Sequence, residues 1–111
     1  MTGNEYQKLA ERTMDLENRC TAICEQHALH GMVGEIGEIH SLYQKVFQGH
    51  ELDTEHLASE LGDLMWFVAE YCTANNWKLD DIMQMNIEKL KKRYPDGFET
   101  EKSLNRAEGD I

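Results

Sequence analysis

The chain has 111 residues, the size of one domain, and 41% of them are hydrophobic, which allows a core but a small one. Its formal net charge of −10 excludes nucleic acid as a natural partner, because phosphate backbones select clustered Lys and Arg; a polyphosphate remains open where cations screen the carboxylates. No apolar run reaches the ~20 residues of a membrane span, Met1–Glu5 lacks the basic and apolar parts of a signal peptide, and three cysteines form no complete set of staples, so no membrane partner and a reducing cytoplasm are expected.

In chain order, a first helix is expected from about Asn4 to Asn18, with Tyr6, Leu9, Met14 and Leu16 as its apolar members. A second runs from about Cys24 to Phe47, where Leu29, Met32, Val33, Ile36, Ile39, Tyr43, Val46 and Phe47 keep helical spacing and Gly49 supplies the stop. Asp53 suits the N-cap of a third helix reaching about Asn75, with Leu57, Leu61, Leu64, Met65 and Val68 on one side. A fourth begins near Leu79-Asp80 and ends at Arg93, before the turn Pro95-Asp96-Gly97. Residues 98–111 read as a polar, partly mobile tail. Nothing alternates with period two, so the expected fold is all-α: residues 1–111 as one antiparallel bundle of about four main helices. So small a core leaves apolar helix faces for a homo-oligomer to complete.

Acidic residues then form a pattern. Glu35 and Glu38 are three apart on the second helix, and Glu60 and Asp63 three apart on the third, which sets each pair about 60° apart around its axis. Antiparallel packing of the two helices can bring both pairs together. Four converging carboxylates repel and hold protons unless a cation neutralises them, and hard oxygen ligands select Mg²⁺, with Mn²⁺ as a substitute. Gly34, Gly37 and Gly62 interrupt these helices at up to ~1 kcal/mol each relative to Ala, a cost that close approach of a backbone or ligand would explain. In a chain with 21 acidic residues, the competing reading is two solvated helix faces.

The segments Gly34-Glu35-Ile36-Gly37-Glu38, Glu60-Leu61-Gly62-Asp63-Leu64-Met65-Trp66 and Asn86-Ile87-Glu88-Lys89-Leu90-Lys91-Lys92-Arg93-Tyr94-Pro95 resemble, in that order, the MazG-like family of all-α nucleoside triphosphate pyrophosphohydrolases. The likeness extends from about Leu29 to Arg106, and Gly34 stands where many relatives have a second Glu. The resemblance implies hydrolysis of an NTP or dNTP to the monophosphate and pyrophosphate through a metal-activated water. It implies Glu35, Glu38, Glu60 and Asp63 as metal ligands, with Glu35 or Glu38 also acting on the water. Lys89 and Arg93 share a helix face and are candidates for the phosphates, Asn86 for sugar or phosphate, and Lys45 is a further candidate; Trp66 and Tyr94 are candidates for the base. Taken alone, Lys89 and Arg93 equally suit a helix C-terminus, whose dipole favours cations, and Trp66 equally suits a bundle core. A homodimer or dimer of dimers is expected.

Three other readings compete. A non-catalytic helical interaction module would use the same charges for solubility. A di-iron bundle needs Glu-x-x-His pairs, and no histidine follows Glu38 or Glu60 by three. Cys20, Cys24, His27 and His30 can share a helix face as zinc ligands do, yet no later pair completes the set, and small buried cysteines beside surface histidines are expected. His40, His50 and His56 fall near the carboxylates, as substrate contacts or as polar surface.

Overall fold

The computed structural model describes residues 1–15 and 17–111; Leu16, one of the apolar positions expected in the first helix, lies outside the described residues. The elements are α1 (Gly3–Ala10), a 3-10 turn (Glu11–Thr13), α2 (Thr21–Phe47), α3 (Thr54–Ala74), α4 (Leu79–Arg93) and α5 (Thr100–Leu104). Among the described residues there is no strand, and no helix is long and apolar enough to cross a membrane.

The spine is the α2–α3 hairpin. Its antiparallel sense shows in the residues that meet across it: His27 with Glu70, Gly31 with Phe67, and Glu35 with Glu60. A Cβ on Gly31 would stand 2.2 Å from Phe67 Cε1, so only glycine lets the helices approach there. Around Gly34, Gly37 and Gly62, by contrast, a Cβ would meet nothing within 4 Å, so no close approach among the described residues explains those glycines. The α2–α3 connection is local chemistry. Gly49 adopts φ +97°, and the amides of Gly49 and His50 return to the carbonyls of Val46 and Lys45, closing α2 with a Schellman pattern. Asp53 then caps α3 by accepting the His56 amide at 3.0 Å. Asn76, at φ +56°, ends α3 in the same way as Gly49 ends α2.

The first helix is shorter than its apolar pattern suggested. Thr13 donates its hydroxyl to the Ala10 carbonyl at 3.0 Å and accepts the Trp66 indole N–H at 2.9 Å. Those bonds compete with helix continuation, and Met14 leaves in an extended conformation. Polar side chains attach α1 to α4. Gln7 accepts the Leu79 amide at 2.8 Å and donates to the Trp77 carbonyl and the Thr73 hydroxyl; Asn4 and Asp80 cap each other's backbone amides at 3.0 and 3.1 Å. These bonds satisfy amides of α4's first turn that have no partner within their own helix.

The tail also differs from expectation, since Thr100–Leu104 forms α5 and Asp110 returns to Arg93. Among the described residues the buried apolar set is small: Ala10, Cys24, Ala28, Leu42, Ala69, Cys72 and Leu79. Two acids join it. Glu70 is fully buried, bonded by both oxygens to His27 Nδ1 at 2.7 and 3.0 Å, with Arg19 3.9 Å away; the other is Glu60.

Candidate metal centre

Glu35 and Glu38 lie one turn apart on α2, and Glu60 and Asp63 one turn apart on α3, so the hairpin sets the two pairs facing each other. Oxygens of Glu35, Glu60 and Asp63 fall within 4.8 Å of one another, and so do ligand atoms of Glu38, His56 and Glu60. All four expected carboxylates are thus linked, with Glu60 common to both groups.

Electrostatics follows from this geometry. Glu35 is pushed up to about 7, first because it shares a proton with Glu60, then through burial, then through the charges of Glu60, Asp63 and Glu38. Glu60 moves the other way. Its contact with Glu35 and the His56 bond at 2.8 Å hold it below the usual carboxylate range. One buried oxygen, Glu35 Oε2, has no hydrogen-bond partner among the described residues. Hard oxygens crowded together, one of them orphaned, are a donor set that suits Mg²⁺ or Mn²⁺.

Asp63 also acts on a residue not singled out from the sequence. Burial, and then the Asp63 charge, raise the Tyr6 phenol above its ordinary value, so α1 brings a hydroxyl to the edge of the acidic cluster. Tyr6 carried only an apolar signal, because contact between α1 and α3 is not written in local spacing. His56, considered above among three nearby histidines, is the one bonded to Glu60.

Lys89, Arg93, Lys92, Lys102 and Arg106 line a cleft of about 770 Å³ closed by the C-terminal segment, and none of the four carboxylates lines it. Arg93 is engaged there by Asp110, with Nε–Oδ2 2.8 Å and Nη2–Oδ1 2.6 Å, and lies 6.0 Å from the Tyr94 ring, which packs on Phe98. That ion pair holds the Arg93 guanidinium above its ordinary value and Asp110 below its own. Lys45 and Asn86 are exposed. Trp66 is half-buried, edge-on to Phe67 and His27, with its N–H given to Thr13. Of the zinc-like set, Cys20 is exposed, Cys24 is buried with its thiol raised by burial, and His27 is bound to Glu70; among the described residues no three of the four converge.

The model of the MazG nucleotide pyrophosphohydrolase domain matches residues 23–98, from the first turn of α2 past the end of α4. The chain is also 33% identical over 72 residues to the Gene 37 protein of Mycobacterium phage L5. That match covers 60% of this chain and 63% of the phage protein. No solved structure matches. With the match spanning α2, α3 and α4, and with them all four clustered carboxylates, the chain belongs to the MazG nucleotide pyrophosphohydrolase family.

Proposed function

We propose that the chain hydrolyses a nucleoside triphosphate, NTP or dNTP, to the monophosphate and pyrophosphate in the presence of Mg²⁺, with Mn²⁺ as a substitute. The observation that carries this reading is the contact of Glu35 with Glu60 across the hairpin, one oxygen unpartnered, in a chain of this family. Glu35, Glu38, Glu60 and Asp63 would hold the cation. When bound, a divalent cation neutralises phosphate charge and lowers the pKa of water.

The chain's own residues divide the remaining work. Glu35 and Glu38 are the candidates to orient the attacking water and accept its proton, Glu35 because its basicity is raised and Glu38 because it is exposed. His56 and Asp53 support the ligand helix, one through Glu60 and the other through the cap. Lys89, Arg93, Lys45 and Asn86 are the phosphate and sugar candidates, with Trp66 and Tyr94 for the base. For Arg93 to meet a phosphate, Asp110 must release its two bonds.

The test is pyrophosphate release from a panel of NTPs and dNTPs with Mg²⁺ and with Mn²⁺. Activity is expected on at least one nucleotide, abolished by EDTA and reduced at least ~100-fold in Glu38→Gln and Asp63→Asn, on the scale of losing a metal ligand or its support. No pyrophosphate from any nucleotide would leave the interaction-module reading in its place.

A further inference from the structure

We infer that His56 completes a second divalent-cation position, with Glu38 and Glu60, beside the one framed by Glu35, Glu60 and Asp63. The inference rests on the carboxylate centre proposed above and adds a nitrogen ligand that the four-carboxylate pattern does not contain.

The geometry starts from α3's first turn. The His56 amide is bound by Asp53, and its side chain lies one helical turn before Glu60, on the same face. Its Nε2 stands 2.8 Å from Glu60 Oε1, and ligand atoms of Glu38, His56 and Glu60 are all within 4.8 Å of one another. In an octahedron with bonds of about 2.1 Å, neighbouring ligand atoms lie about 3 Å apart and opposite ones about 4.2 Å. A limit of 4.8 Å is slightly wider than that sphere, so a small side-chain adjustment brings the trio onto one cation. The second trio shares only Glu60 with it, so Glu60 can bridge two cations, an arrangement that suits displacement at phosphorus. An imidazole nitrogen shifts preference from Mg²⁺ toward transition-metal dications. The His56 side chain is 46% exposed, so the position is open to ions from solvent and tolerates replacement without loss of core.

Mn²⁺ is the probe, read by calorimetry and by pulsed EPR of the bound ion. The wild-type chain is expected to bind two Mn²⁺, one with nitrogen modulation from imidazole that excess Mg²⁺ leaves in place. His56→Gln is expected to bind one and to lose the nitrogen signal, while His40→Gln and His50→Gln keep both, with unchanged circular dichroism throughout. One bound Mn²⁺ in the wild type, absence of nitrogen modulation, or its survival in His56→Gln overturns the inference and leaves the carboxylate centre standing. Failure of the wild type to bind any Mn²⁺ overturns both.

Discussion

At Glu35, protonation and cation binding compete for the same oxygens. A carboxyl whose pKa rises from 4.5 to about 7 on folding binds more protons in the native state than in the unfolded chain between those values. Stability contributed by Glu35 is therefore full below about pH 4.5 and lost as pH rises to about 7. Glu60, shifted down, acts in the opposite sense and only on further acidification. In EDTA, the melting temperature of the wild type relative to Glu35→Gln is expected to fall between pH 5 and pH 8, and saturating Mg²⁺ should reverse the fall at pH 8. A flat difference across that range would mean that Glu35 and Glu60 do not share a proton. The close pair also explains why spacing alone left the acids ambiguous: i,i+3 carboxylates are common on solvated faces, and only contact across two helices separates a site from a surface.

Among the elements, the glycines of α2 offer a paired comparison. Gly31→Ala drives a methyl into the Phe67 ring and is expected to destabilise by about 1–3 kcal/mol, as overpacking does. Gly34→Ala meets nothing within 4 Å and should raise the stability of the isolated chain by up to ~1 kcal/mol through helix propensity. Urea denaturation of both variants checks the signs; a loss at Gly34 would show that another molecule packs there. Gln7 is the corresponding test for α1. Gln7→Ala leaves the Leu79 amide without its partner and is expected to cost about 1–3 kcal/mol in the same assay. The anchor of α1 is thus a polar side chain, while the bonds of Thr13 stop at Ala10 a helix that apolar periodicity extended to Asn18.

For the whole molecule, the telling quantity is a Cα radius of gyration of 17.3 Å, against about 13 Å for a compact domain of this length. Leu29, Val33, Ile36, Tyr43 and Phe47 form an exposed stripe along α2, and Met83, Ile87 and Leu90 form another on α4. Stripes of this extent mark surfaces that other molecules cover. A homodimer or dimer of dimers is the proposed cover. Light scattering at micromolar concentration is expected to report at least a dimer, and Val33→Glu, at a position 71% exposed in the single chain, should shift it toward monomer. A wild-type monomer under those conditions would remove the proposal.

The sequence by itself determined the helices with strong punctuation. Asp53 as N-cap and Gly49 as stop match, because caps and positive-φ turns are chemistry within a few residues; the start of α4 at Leu79 and its end at Arg93 match as well, although Gln7 and Asn4 from α1 supply the partners of its first amides. It also determined the family, since the ordered acidic and basic segments lie along one continuous match. Only the tertiary structure decided what depends on distance across the chain. It placed His56 against Glu60, brought the charge of Asp63 to bear on Tyr6, bound Arg93 to Asp110 and buried Glu70 under His27. Each of these pairs joins side chains whose neighbours in sequence give no sign of the partner, save His56 and Glu60, four apart on one helix, where burial and the approach of Glu38 make the difference. Helix periodicity reports which face is apolar; which polar groups meet across that face is settled by packing alone.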